Sequence, residues 1–87
     1  MMEDSDIPDF RRAVRAHLAE RPAVSQSAET VHRHLRREFD CSIAETEKAL
    51  AVLEAMQQAR VSYDPLGGST KYYQATADGI LRHERGD

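Results

Sequence analysis

The sequence has one cysteine, no tryptophan, four glycines and three prolines in 87 residues. Each scarcity excludes something. Cys41 has no second cysteine to pair with, so no intrachain disulfide framework can hold the fold, and a reducing cytoplasm is the expected compartment. So little glycine and proline excludes collagen-like or linker character. No apolar run approaches the roughly 20 residues that span a bilayer, and the stretch from Met1 to Asp9 is acidic, unlike the basic start of a secretory leader. Neither paired cysteines nor a two-histidine zinc motif is present. His32 and His34 stand two apart, so on a helix they point to different faces and cannot readily share one ion. No metal or cofactor is expected. Catalysis is not expected either: Ser25, Ser27 and the histidines form no nucleophile-base pattern, and no phosphate-cradling glycine loop exists.

What is present is an ordinary globular balance, 40% hydrophobic and 31% charged, in a length that suits one domain with one modest core. The net charge of −3 is unevenly spread. Residues 1–9 carry Glu3, Asp4, Asp6 and Asp9 and no base, whereas residues 10–39 carry Arg11, Arg12, Arg15, Arg21, Arg33, Arg36 and Arg37 against three glutamates. The basic character therefore sits in the first half of the folded part, and residues 1–9 read as an acidic flexible tail ahead of a domain over 10–87.

Phe10, Ala13, Val14, His17 and Leu18 follow the three-and-four step of an amphipathic helix, with Asp9 as its cap and Pro22 at its end. Ser25 and Ser27 offer caps for a second helix with the stripe Ala28, Val31, Leu35 and Phe39. Ser42-Ile43-Ala44-Glu45 matches the capping box and opens a third helix, whose stripe of Thr46, Ala49, Leu50, Leu53 and Met56 carries it to about Ala59. The period then becomes two. Val61 and Tyr63, then Tyr73 and Ala75, make a hairpin around Asp64-Pro65-Leu66-Gly67-Gly68-Ser69, with Tyr63 and Tyr73 facing inward and Tyr72 outward. Thr76 caps a short last helix through Ile80, Leu81 and Glu84. Cys41, beside Phe39 and Ile43, reads as a small buried core residue.

This order of three helices, hairpin and helix, with a short link between the second and third helices, resembles the winged helix-turn-helix superfamily of bacterial transcriptional regulators from Phe10 to about Arg85. The stretches Ser27-Ala28-Glu29-Thr30-Val31-His32-Arg33-His34-Leu35 and Ala49-Leu50-Ala51-Val52-Leu53 look like positioning and recognition helices. Lys71-Tyr72-Tyr73-Gln74-Ala75-Thr76-Ala77-Asp78-Gly79 looks like the wing strand and following helix of PadR-like and MarR-like regulators. Ser27 to Leu53 also resembles the DNA-binding half of ferric-uptake-regulator proteins, without room for their metal-binding dimerisation half. Ala59 stands where the superfamily often has glycine; a left-handed backbone there would cost roughly 1 kcal/mol.

The resemblance implies a small α+β winged helix-turn-helix domain that binds DNA without catalysis, as a homodimer through the last helix. By analogy the recognition positions are Ala44, Glu45, Glu47, Lys48 and Ala51, flanked by Arg33, Arg36 and Arg37 on the second helix and by Ser69, Thr70 and Lys71 on the wing. Glu45 and Glu47 would approach a polyanion, and the third helix offers only Lys48 to a phosphate. The alternative is a protein-interaction module whose acidic third helix and tail meet a basic partner; Tyr72 is the aromatic freest to touch a partner of either kind.

Overall fold

The computed structural model describes residues 2–86. Its elements run α1 (Ile7–Ala19), β1 (Gln26–Ser27), α2 (Ala28–Leu35), α3 (Ile43–Ala55), β2 (Ala59–Tyr63), β3 (Lys71–Ala75) and α4 (Ala77–Arg85). The three strands form one antiparallel sheet in the order β1-β3-β2.

The first helix starts three residues before the position its apolar stripe suggested. Asp4–Asp6 form a 3-10 turn, Ile7 opens α1, and Pro8 sits in its first turn, where the missing N–H has no intrahelical partner to lose. Asp9 is thus inside the first turn rather than at the cap, where its carboxylate meets the positive end of the helix dipole and lies 3.8 Å from Arg12. The expected tail is in this part structured, and Met2 packs against the core, although its acidic side chains are exposed.

Phe10, Val14 and Leu18 of α1, Val31 and Leu35 of α2, Ala49, Leu50 and Leu53 of α3, and Ala59, Tyr73 and Ala75 of the sheet form one core. α2 stops at Leu35, so Phe39 belongs to the following turn rather than to the helix; its ring still meets Phe10 edge-on at 5.4 Å. Thr46 is fully buried within the α3 stripe because its hydroxyl donates to the Ser42 carbonyl at 3.0 Å, which removes the cost of burying it. Cys41 is only half-buried against the core, and burial raises its thiol pKa above the ordinary value.

α3 ends at Ala55, four residues earlier than its composition suggested. Gln57 takes the left-handed conformation (φ 62°), its N–H donating to the Glu54 carbonyl while the Gln58 N–H donates to that of Leu53, the paired bonds of a Schellman end. The left-handed residue is therefore Gln57. Ala59 is extended, buried and paired with Ala75, so it bears no such strain. Met56, at the helix end, is 49% exposed rather than part of the core stripe.

The sheet differs from the expected hairpin in the burial of Tyr63 and in a third strand. Tyr63 lies on the same face as Tyr73, since Val61 opposes Tyr73 and Tyr63 opposes Lys71, but it is 59% exposed against 5% for Tyr73. The alternation is right and the core simply ends before the hairpin tip. β1 carried no period-two signal at two residues; it exists because Gln26 and Ser27 pair with Tyr73 and Tyr72.

Gln26 also explains why a histidine occupies the α1 stripe. His17 is buried, with Nε2 2.7 Å from Gln26 Oε1 and Nδ1 3.4 Å from an Arg21 guanidinium nitrogen. A guanidinium only donates, so Nδ1 accepts, and Nε2 carries the proton and donates to Gln26. Burial is the main reason the His17 pKa lies below its ordinary value, with Arg21 and the nearby His34 ring acting in the same direction.

Candidate nucleic-acid interface

The capping box fixes where α3 begins, and hence which of its residues face outward. The Ser42 hydroxyl accepts from the Glu45 N–H at 3.1 Å, and the Glu45 carboxylate accepts from the Ser42 N–H at 2.9 Å. Glu45 therefore serves the helix start. With α3 set in this register, Ala44, Glu47, Lys48 and Ala51, spaced three and four apart, line one face of a groove of about 620 Å³.

The opposite walls are the first turn of α2, through Ser27, Ala28 and Glu29, and the wing, through Ser69, Thr70, Lys71 and Tyr73. Ser27 caps α2 by accepting from the Thr30 N–H at 3.3 Å. β1 leads directly into this cap, so the strand pairing that completes the sheet also sets the helix start against the groove. The two cations of the lining, Lys48 and Lys71, are matched by Glu29 and Glu47. Among the described residues, no hydrogen bond or ion pair engages Glu47 or Lys48.

Seven positions expected to meet DNA are thus brought together: Ala44, Glu47, Lys48, Ala51, Ser69, Thr70 and Lys71. Glu45 borders a neighbouring hollow lined by Met2, Ile7, Phe10 and Arg11, while Lys48 stands between the two and lines both. Arg33, Arg36 and Arg37 are exposed, but they lie on the last turn of α2 and beyond it, outside the groove. The α2 first turn was missed as lining. Ser27 was legible as a cap, but the wall it forms depends on the sheet.

The wing tip is held by Asp64, whose carboxylate accepts from the Leu66 N–H at 2.9 Å and whose carbonyl accepts from the Gly67 N–H at 3.0 Å. Gly67 has φ 91°, the conformation the turn requires. The tip presents Leu66 almost fully exposed. Tyr72 is half-buried on the sheet face away from Tyr73.

Among the described residues, no three His, Cys, Asp or Glu side chains converge as metal ligands would. His32 donates from Nε2 to the Cys41 carbonyl at 2.9 Å, while the His34 ring lies 4.8 Å from that of His17, so the two histidines are engaged in different directions. No helix among the described residues is long and apolar enough to cross a membrane.

No family model matches the chain, and no curated protein is significantly similar to it. Solved structures are. A doubly substituted ZitR of Lactococcus lactis in apo form superposes with a TM-score of 0.73 at 16% identity, covering 94% of this chain and 57% of that one. A PadR family transcription regulator from hypervirulent Clostridium difficile R20291 gives 0.73 at 18% identity, covering 88% and 82%. A transcriptional regulator from Clostridium thermocellum gives 0.70 at 16%, covering 99% and 84%. The chain thus spans little more than half the length of ZitR. At these identities the likeness establishes the fold, a small α+β winged helix-turn-helix with α2 and α3 as the helix pair and β2-β3 as the wing.

Proposed function

We propose that this winged helix-turn-helix chain is a DNA-binding transcriptional regulator that acts without catalysis. The observation that carries the reading is the groove in which the outward face of α3, the start of α2 and the wing strand converge with Lys48 and Lys71. α3 enters the major groove, with Ala44, Glu47, Lys48 and Ala51 toward the base edges. Ser69, Thr70 and Lys71 lie on the flanking backbone, and the first turn of α2, whose Thr30 N–H is taken by Ser27, lines the groove beside them. Arg33, Arg36 and Arg37 reach only outlying phosphates. One small domain gives limited affinity, so two copies on a two-fold site are part of the reading; α4, with Leu81 43% exposed, is the element that joins them. The single free thiol fits a reducing cytoplasm.

A second reading, a protein-interaction module for a basic partner, draws on Glu29 and Glu47, which cancel the positive charge of the groove. One titration separates the two. Fluorescence anisotropy with mixed duplex DNA at two salt concentrations should show binding that weakens steeply with salt, and a shallower salt dependence in Lys48→Ala and Lys71→Ala. Absence of binding at low salt, where non-specific contacts suffice, would turn the search to a protein partner.

A further inference from the structure

A carboxylate left unpartnered in a groove that would lie against a polyanion requires a reason. Glu45 has one, since both its carboxylate and its N–H are engaged by Ser42. Glu47 has none of this kind: it is exposed, it lines the groove, and among the described residues no hydrogen bond or ion pair occupies it. Facing phosphates, it would only repel. Facing base edges in the major groove, one donor suits a carboxylate, the exocyclic amino group of cytosine, because adenine presents its amino group beside an acceptor that a carboxylate cannot satisfy. Lys48 is the adjacent residue on the same groove wall, and an ammonium is suited to the paired acceptors O6 and N7 of guanine.

Building on the DNA-binding reading, we infer that Glu47 is a specificity-determining residue that selects cytosine, and that Glu47 and Lys48 together make a G·C pair the centre of the site read by α3. The span fits. Ala44 to Ala51 covers about 10 Å along the helix axis, which corresponds to about three base pairs at 3.4 Å each. The two alanines at the ends of this face offer only methyl groups, whose natural contacts are thymine methyls. The readout is thus a G·C centre flanked by A·T pairs, carried by four side chains whose register the capping box sets.

The test is selection of duplexes from a random-sequence library by the wild-type chain, by Glu47→Gln and by Glu47→Ala, followed by anisotropy on single-base variants of the selected site. All three proteins keep Ser42 and Glu45, and circular dichroism checks that each is folded. The expected result is a wild-type motif with an invariant C at one position. Glu47→Gln should replace that C by A, since a glutamine amide matches the adenine edge, and Glu47→Ala should lose about tenfold of discrimination there while keeping the rest of the motif. The same motif from all three proteins, or tighter binding by Glu47→Ala with an unchanged motif, would overturn the inference and leave DNA binding intact. Failure of the wild-type chain to bind any duplex at low salt would overturn both.

Discussion

Gly79 packs directly onto the backbone carbonyl of Gln58. A Cβ added at Gly79 would overlap the Gln58 oxygen and lie 3.1 Å from its carbonyl carbon, and neither atom is the movable end of a side chain. This contact seats α4 on the junction between α3 and β2. Thr76 completes the seat: its hydroxyl donates to the Gln57 carbonyl at 2.6 Å and accepts from the Gly79 N–H at 3.1 Å, and its own N–H donates to the Gln58 carbonyl at 3.2 Å. Gly79→Ala must push α4 away. The expected loss is about 3 kcal/mol, a fall in Tm of roughly 15 °C by thermal denaturation. A Tm within 2 °C of wild type would mean that α4 is not docked in this way.

Gln57 occupies a left-handed position that favours glycine, and among the described residues no hydrogen bond ties its side chain down. Gln57→Gly should therefore stabilise the chain by about 0.5–1 kcal/mol, the relief at the helix end exceeding the extra freedom glycine gives the unfolded chain. Gln57→Ala keeps the steric penalty and should give no gain. Urea midpoints of the two variants, compared with wild type, decide the matter.

Tyr63 and Tyr73 share a sheet face but not a burial state, so their removal should differ sharply. Tyr73→Ala should cost about 3 kcal/mol or more, as for other buried aromatics, whereas Tyr63→Ser should stay within about 0.5 kcal/mol of wild type. Equal losses in chemical denaturation would place Tyr63 in the core after all.

His17 makes stability depend on pH with a definite sign. Its folded pKa is depressed, mainly by burial, below the ordinary value of 6.5. Between the two values the unfolded chain binds the extra proton and the folded chain does not, so this contribution is fully present above pH 6.5 and is lost as pH falls through the folded pKa. Protonation would also place an N–H on Nδ1, facing Arg21. Stability measured by urea denaturation should thus drop between pH 7.5 and pH 5. His17→Gln, whatever it costs at neutral pH, should flatten this part of the profile; an unchanged slope would assign the acid sensitivity to other groups.

The capping box predicts different outcomes at its two ends. Ser42→Ala removes the hydroxyl that accepts from Glu45 and should cost about 1 kcal/mol. Glu45→Gln keeps an acceptor for the Ser42 N–H and should be nearly neutral in thermal stability. A loss at Gln as large as at Ala of Ser42 would show that the charge of Glu45, rather than its hydrogen bond, holds the helix start.

The order of the four helices and the hairpin, the caps at Ser27, Ser42 and Thr76, and most of the core were legible from residue types and spacing alone, whereas β1 was not, because caps and apolar periodicity are local properties and a two-residue strand exists only through its pairing. The groove-facing set on α3 was expected by analogy with helix-turn-helix domains as Ala44, Glu45, Glu47, Lys48 and Ala51, and four of these five line the groove. Three things were decided elsewhere. The end of α3 at Ala55 was hidden because good helix formers continue past it, while the turn at Gln57 places Gln58 where α4 docks. The exposure of Tyr63 and Met56 depends on where the shared core runs out, which no alternation pattern encodes. The separation of the α2 arginines from the groove is likewise tertiary. The engagement of Glu45 by Ser42 is local, spanning three residues, and the capping box made it legible, whereas an arginine belongs to a site only if the packing of its helix turns it there.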